Sequence, residues 1–143
     1  MNRKRIALIV GAVAVLVIGW VHFYLYFRGG YRAIAPESFL GITISRSFAA
    51  NAIAAVVIAE ALVLATRFKW LVLPAAAVGA LYAVATSGAF AISRADELLG
   101  FHEASVTTEA FVALVAEGLA LIVLVPVVIS SLKSFRHRAP AGV

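Results

Sequence analysis

Apolar residues along this chain fall into four long runs separated by short polar stretches. The runs cover about residues 6–27, 45–66, 70–92 and 109–132. Each reaches the length of about 20 residues that one helix needs to cross a bilayer. The pattern therefore predicts an all-α fold, in which residues 1–143 form a single four-transmembrane-helix bundle of a polytopic membrane protein.

Composition supports a chain that is almost entirely embedded in the membrane. Hydrophobic residues make up 64% of it and charged residues 13%, and the mean hydropathy is +1.03. These values leave no room for a folded soluble domain beside the helices. Arg3, Lys4 and Arg5 before an apolar run would also suit an export signal. Bulky residues at 20–27 follow where a signal peptidase needs small side chains, so we expect a retained first helix.

Lys and Arg are distributed unevenly between the two ends of the predicted helices. Eight of them lie near the two termini or in the turn between helices two and three, and four lie on the opposite side. Basic residues in short loops stay on the cytoplasmic side. We therefore predict that both termini are cytoplasmic and that the chain is a multi-pass protein of an inner (plasma) membrane.

The net charge of +5 follows from the same distribution. Basic flanks of this kind are attracted to anionic lipids of the inner leaflet. They form no continuous basic face, so no nucleic-acid partner is expected.

Two acidic residues, Glu60 and Glu117, fall inside predicted spans. Charged groups are costly there and often functional. We expect each carboxyl to be protonated and hydrogen-bonded to Tyr82, Thr86 or Ser87 of helix three, or to face a water-filled cavity. Two interpretations remain open: a neutral carboxyl that bridges helices, or a site of proton relay or ligand binding.

The two acids lie in similar segments, VIAEALVL at 57–64 and LVAEGLAL at 114–121. Two hairpins duplicated in tandem would produce such a parallel repeat. Chance similarity between helices rich in Ala, Val and Leu is the alternative, and it is the explanation we favour.

Polar side chains near the outer ends of the helices form the candidate binding site. His22 and Asn51 are expected at a similar depth, with Glu117 deeper in helix four. An anionic or quinone-like head group, or a lipid head group, is the expected ligand. The alternative is that His22 is an interfacial histidine bonded to a helix neighbour or to water, that the tyrosines belong to an interfacial belt and that the charged residues form ordinary ion pairs. The candidate ligand-binding residues are His22, Tyr26, Tyr31, Arg32, Arg46, Asn51, His102, Glu103, Glu109 and Glu117.

Helix three carries small residues at every fourth position, which lets a partner helix approach closely. This stripe predicts that helix three is the packing core of the bundle or lies at an oligomer interface. Its members are Ala75, Gly79, Ala83, Ser87 and Ala91.

The loop before helix four contains helix-boundary signals. Ser93 with Asp96 resembles a helix start, and Gly100 a stop. Thr107 or Thr108 is expected to cap helix four, with Glu109 near its positive end.

Several chemistries are disfavoured by residues the chain lacks. It contains no Cys, which excludes thiolate metal sites and a cysteine nucleophile. His22 is the only histidine within a predicted span, so a haem with two axial histidines is not expected. His102 beside Glu103 does not have the spacing of helical zinc ligands. We predict no metal, no cofactor and no catalytic residues, and the chain is expected not to be an enzyme.

The segments 22–26 (HFYLY), 30–34 (GYRAI) and 100–103 (GFHE) resemble a pattern in small four-helix membrane proteins of high-GC bacteria that have no assigned function. The resemblance implies the fold and transfers no activity. The small multidrug-resistance exporters have a similar length but carry an essential acid in helix one, where this chain has only His22. The DoxX-like membrane proteins share the number of helices without a shared motif.

The sequence thus predicts a non-enzymatic accessory or lipid/quinone-contacting integral membrane protein, working in a homo-oligomer or a larger membrane complex. The alternative is an oligomeric proton-coupled transporter of small molecules that uses Glu60 and Glu117 as protonation sites. A membrane enzyme acting on lipid is a third interpretation, which requires His22, Glu103 and Glu117 to meet in one cavity.

Overall fold

The computed structural model describes residues 3–33, 42–96, 98–99, 102 and 105–136. Within these ranges the chain forms four long helices, α1 (Arg3–Phe27), α2 (Ile44–Ala65), α3 (Val72–Ala95) and α4 (Thr108–Arg136). All four are long and apolar enough to cross a membrane. This confirms the prediction of an all-α chain with four such helices, whose ends differ from the predicted ones by at most four residues. Insertion and the cytoplasmic location of the termini stay predictions.

Helix ends follow the local sequence signals in two places. Thr107 caps α4, because its hydroxyl oxygen accepts a hydrogen bond from the backbone N–H of Ala110 at 3.2 Å. This confirms one of the two predicted caps, and Glu109 lies in the first turn as expected. After α1, Gly30 has a φ of +83°, a backbone conformation that glycine adopts without the steric cost of a Cβ atom.

The predicted helix start at Ser93 and Asp96 is wrong. Helix α3 continues through Ser93 to Ala95. The Ser93 hydroxyl donates to the carbonyl of Phe90 at 2.8 Å, so it bonds back within its own helix and caps no new one. Gly100, the predicted stop, lies outside the described residues.

The four helices are arranged in a ring in the order α1, α2, α3, α4. Helix α1 packs extensively against α2 and α4, and α3 packs against α4. Helices α2 and α3 follow each other through the short turn at 66–71, as predicted for antiparallel neighbours, but they contact each other less. Across the ring, the backbones of α1 and α3 approach each other, whereas those of α2 and α4 stay farther apart over the described residues.

Helix α1 is the best packed of the four, which corrects the prediction that helix three is the packing core. Its residues Leu8, Val15 and Ile18 are at most 1% exposed. Glycines on α1 explain the close approach. A Cβ atom on Gly11 would lie 2.6 Å from Cδ2 of Leu124, and one on Gly19 would collide with Cβ of Ala55.

The small-residue stripe of α3 packs inside the bundle along most of its length. Ala75, Gly79 and Ala83 are buried, and a Cβ atom on Gly79 would lie 2.8 Å from Leu124 and 3.4 Å from Leu62. The stripe therefore receives α4 and α2 of the same chain. Only Ala91, near the end of α3, is exposed.

The bundle has two ends. The loop end is the half of the bundle from which residues 28–33, 42–43 and 105–107 project. The terminal end is the other half, from the level of Leu124 to the turn between α2 and α3, the first residues of α1 and the last of α4. In the topology predicted from the sequence, the loop end would face away from the cytoplasm.

Candidate functional site

A cavity of about 360 Å³ lies between the four helices at the loop end. Every helix contributes to its lining, as do Tyr31, Thr107 and the loop residues Leu98 and Leu99. On α2 the lining residues are Ile44, Ser47, Phe48 and Asn51, and on α4 they are Ala110, Ala113, Leu114 and Glu117. Both sets have the i, i+3, i+4, i+7 spacing of one helix face.

An aromatic wall connects three segments along one side of the cavity. The rings of Tyr31 and Phe48 stack with centroids 4.3 Å apart and an interplanar angle of 28°. Phe48 also contacts His22, with centroids 5.1 Å apart and an angle of 48°. Stacked rings of this kind attract each other beyond the area they bury. The contacts hold the turn Tyr31–Ala33 against α1 and α2.

The imidazole of His22 is oriented by its own helix. Its Nδ1 lies 2.9 Å from the carbonyl oxygen of Ile18. Since a carbonyl only accepts hydrogen bonds, Nδ1 carries the donated hydrogen, and in a neutral ring Nε2 is then an acceptor. The half-buried His22 therefore offers the cavity lining a hydrogen-bond acceptor.

Glu117 lies at the deep end of the cavity and is only 3% exposed. Its Oε2 is 2.7 Å from Oγ of Ser87 on α3, which confirms Ser87 as one of the three predicted partners of an intramembrane acid. The hydroxyl of Thr86, a second predicted partner, is also within hydrogen-bonding reach of the Glu117 carboxyl, and it donates to the backbone carbonyl of Tyr82 at 3.0 Å. The hydroxyl of Tyr82, in contrast, donates to the carbonyl of Asn51 at 3.1 Å.

Several polar residues of the lining have hydroxyls that already bond to the backbone. Ser47 donates to the carbonyl of Thr43, and Thr86 and Ser93 bond within α3. The side-chain amide of Asn51, in contrast, has no hydrogen-bond partner in the described part of the chain. Asn51 and His22 are thus the lining side chains best able to bond to a ligand.

The loop residue Leu99 has a left-handed backbone, with a φ of +53°. This conformation costs a residue with a Cβ atom about 1–2 kcal/mol. Leu99 is nevertheless one of the residues that line the cavity, as is Leu98. The surrounding packing therefore holds an apolar residue at this position against a local preference.

Four of the ten candidate ligand-binding residues line the cavity: His22, Tyr31, Asn51 and Glu117. Five others do not, namely Tyr26, Arg32, Arg46, His102 and Glu109, and Glu103 lies outside the described residues. Helix geometry explains two of these. Arg46 and Glu109 each precede a lining residue by one position, and a step of one position turns a side chain by about 100°.

Phe48, Leu98 and Leu99 are lining residues that the sequence analysis did not identify. Phe48 had a detectable signal, because it lies three positions before Asn51 on the same helix face. No comparable signal exists for Leu98 and Leu99, whose position depends on how the loop returns over the cavity.

Glu60 has surroundings quite unlike those of Glu117. It is exposed on the outside of α2, lines no cavity described here, and has no hydrogen-bond or ion-pair partner among the described residues. The expectation that each acid would be bonded to helix three or face a cavity is therefore wrong for Glu60. The reason is rotational, since the core of α2 is formed by its neighbours Ile58, Ala59 and Leu62.

Among the described residues, no group of three or more His, Asp or Glu side chains is close enough to hold a metal ion. No protein-family model matches the chain, and comparisons with curated proteins and with solved structures found no significant match. The resemblance noted from residues 22–34 and 100–103 stays a prediction. The functional argument therefore depends on the geometry of the cavity.

Proposed function

We propose that this chain is a non-enzymatic accessory protein of a bacterial inner membrane that binds the head group of a lipid or quinone in its loop-end cavity. The observation that carries the proposal is a space of about 360 Å³ bounded by four apolar helices. Small-molecule sites are mainly apolar concavities of about 300–1,000 Å³ with a few placed polar groups. The cavity has both properties.

The size of the cavity favours a head group over a whole lipid. A volume near the lower limit of ligand sites accommodates one substituted ring, so an attached chain would have to leave between helices. The interface between α2 and α3 is the least extensive of the four neighbouring interfaces. We assign this interface as the path by which the hydrocarbon chain of the ligand leaves the cavity for the surrounding lipid.

The lining chemistry favours a planar ring that carries oxygen atoms. Tyr31, Phe48 and His22 provide aromatic surface, and a flat ring stacks on such a surface. The amide of Asn51 donates to a carbonyl oxygen or accepts from a hydroxyl, and Nε2 of His22 accepts from a hydroxyl. A quinone and its quinol present these groups.

The Glu117 contact supports a neutral carboxyl at the deep end of the cavity. Oγ of Ser87 lies 2.7 Å from the carboxyl oxygen and also 2.7 Å from the carbonyl oxygen of Ala83. One hydroxyl hydrogen cannot fully serve two acceptors. A protonated Glu117 resolves this, because it donates to Ser87 while Ser87 donates to Ala83.

The test is binding of a short-chain benzoquinone with one isoprene unit to the purified full chain in nanodiscs. Ala89 lines the cavity, so Ala89→Leu should fill part of it and weaken binding at least tenfold. Ala91→Leu is the matched control, because Ala91 lies on the same helix but is exposed and outside the lining. Equal binding by both variants, or no binding by the unsubstituted chain, would refute the quinone assignment.

Native mass spectrometry from a gentle detergent separates the lipid and quinone versions of the proposal. A retained mass that disappears in Ala89→Leu and persists in Ala91→Leu identifies the cavity ligand. A larger complex at the same time would support the accessory role. Loss of the same mass in both variants would show that the ligand is bound elsewhere.

The inner-membrane location is tested separately. Reporter fusions at both termini that are active only in the cytoplasm are expected from the distribution of Lys and Arg. A terminus that reports from the periplasm would contradict the proposed topology without affecting the geometry of the cavity.

A second candidate function is a proton-coupled transporter working as an oligomer, favoured by the buried carboxyl of Glu117 at a cavity. Intramembrane carboxyls serve as proton relays in transporters. This function predicts pH-dependent uptake into proteoliposomes that Glu117→Gln abolishes. Quinone binding without any pH-driven uptake would favour the accessory role.

A further inference from the structure

We propose that two copies of this chain associate in the membrane along the exposed face of α2, with the Glu60 side chains of the two copies hydrogen-bonded to each other. This inference takes the proposed membrane location as its premise and does not depend on what the loop-end cavity binds. It starts from a carboxyl that is exposed on an apolar helix without a partner in the described part of the chain.

Glu60 lies within the apolar part of α2, inside the predicted membrane span. Glu60 precedes the last residue of α2 by five positions, which is about 7 Å along the helix. Side chains on a helix are tilted towards its N-terminus, and the N-terminus of α2 lies at the loop end. The Cα–Cβ bond of Glu60 therefore points towards the middle of the span and away from the nearer surface. In the middle of the span, an unsatisfied polar group costs several kcal/mol.

The exposed residues of α2 form a seam suited to pairing of two helices. Exposure recurs at Ala50, Ile53, Val57, Glu60 and Leu64, which are alternately three and four positions apart. This is the a/d spacing of a left-handed helix pair, and crossings of that hand predominate in membrane bundles. A single polar residue in such a seam sets the register of the pair.

A second copy of the same face is the partner that fits best. The contacts of Leu124 with Gly11 and Gly79, and of Gly79 with Leu62, place these four residues at one level of the bundle. Glu60 lies two positions from Leu62 towards the loop end. Two positions towards the loop end from Gly11, Gly79 and Leu124, the other three helices carry Val13, Leu81 and Ile122, which are exposed and apolar. At this level only the α2 face therefore offers a polar partner for Glu60.

Symmetry then brings like residues together. Copies with the same orientation in a membrane are related by a two-fold axis along the membrane normal, so each residue near the axis meets its own counterpart. Two protonated carboxyls form a reciprocal pair, in which each O–H donates to the carbonyl oxygen of the other.

Cysteine cross-linking provides the first test, because the chain contains no Cys of its own. Val57→Cys places a thiol in the seam next to Glu60, and Ile122→Cys places one at a similar level on α4. Oxidation in membranes should link two copies through position 57 and leave the position 122 variant monomeric. Equal linking at both positions, or at neither, would overturn the proposal.

The second test assigns the association to the carboxyl. Dimer dissociation is measured by energy transfer between labelled copies diluted in lipid. Glu60→Leu should weaken the dimer by a factor on the order of five to thirty, which corresponds to the contribution of interhelical hydrogen bonds in model membrane peptides. Glu60→Gln keeps both a donor and an acceptor and should retain the dimer.

Glu60→Leu replaces a polar group by an apolar one on a lipid-facing surface, so the variant is expected to fold. Unchanged association of this variant would refute the role of Glu60. Association with a different protein in place of a second copy would do the same. A chain that is absent from the membrane fraction would instead refute the proposed location.

Discussion

The two ends of the bundle are built from similar residues but packed in opposite ways. At the terminal end, Leu124 is fully buried between Gly11 and Gly79, so that one large side chain fills the space left by two glycines. At the loop end, Ala89, Ala110 and Ala113 all line the same cavity. Small residues complemented by a large one produce close packing, whereas small residues that face one another leave a void.

This comparison shows where the chain derives its stability and where it has room for a ligand. Close contacts among α1, α3 and α4 at the terminal end do not depend on the cavity. The loop end gives up dispersion contacts, because atoms that line a void have no partners on one side. A ligand that fills the cavity would restore them.

The largest expected effect comes from opening the terminal end. Leu124→Ala should lower the free energy of unfolding by about 2–5 kcal/mol, because it leaves a cavity between Gly11 and Gly79. Ile122→Ala, at a residue 72% exposed on the same helix, should change it by less than about 0.5 kcal/mol. SDS titration in mixed micelles, followed by near-UV circular dichroism, measures both. Similar losses of unfolding free energy in Leu124→Ala and Ile122→Ala would mean that the terminal end is not closely packed.

The next effect compares the same enlargement at the two ends. Ala76→Leu, at a fully buried residue of the terminal half of α3, should destabilise the bundle by about 1–3 kcal/mol through overpacking. Ala89→Leu enters the cavity and should leave the free energy of unfolding unchanged or higher. The same titration measures both variants. A larger loss of unfolding free energy for Ala89→Leu than for Ala76→Leu would show that the loop-end cavity cannot accommodate the added side chain.

A smaller effect is expected from adding one methyl group to glycines. Gly19→Ala should cost about 1 kcal/mol, because the new Cβ would collide with that of Ala55 and push α1 from α2. Gly118→Ala meets nothing within 4 Å and should stabilise α4 by about 0.5–1 kcal/mol through helix propensity. Melting temperatures of the two variants should therefore shift in opposite directions, and a common shift would contradict the packing described for α1.

The smallest expected effect is the coupling between Ser87 and Glu117. A double-mutant cycle with Ser87→Ala and Glu117→Leu, which removes both hydrogen-bonding groups, should give an interaction free energy of about 0.6 kcal/mol, the average for interhelical hydrogen bonds in a membrane protein. Unfolding of the two single variants and the double variant measures it. Strict additivity would mean that the 2.7 Å contact contributes nothing to stability.

Glu60 and Glu117 illustrate how far the repeat in the sequence can be taken. Glu117 is buried and bonded to Ser87, whereas Glu60 is exposed on α2. Their distances from the loop end also differ, at sixteen and nine positions from the starts of α2 and α4. A parallel repeat would place the two acids in equivalent environments. The similar segments 57–64 and 114–121 do not, so their similarity in sequence does not extend to the structure.

Part of the candidate site could be predicted because polar residues in an apolar helix are conspicuous. His22, Asn51 and Glu117 were identified in this way, and all three line the cavity. Arg46 and Glu109 were included for their charge near the same end, but each is rotated away from the cavity by one position. Charge in a loop shows which end of the bundle a residue occupies, whereas the lining depends on the rotation of each helix.

The sequence alone determined the number of helices, their approximate ends and a cap at Thr107 or Thr108, because each depends on hydrophobic length or on groups within a few residues of each other. Tertiary structure alone decided that α1 is the best packed helix, that Glu117 faces inward while Glu60 faces outward, and that a cavity lies at the loop end. These features depend on the rotation of each helix and on which small residues pack against a large one. Neither the rotation nor the pairing could be predicted from the sequence, because helices that are apolar on nearly every face carry little hydrophobic periodicity.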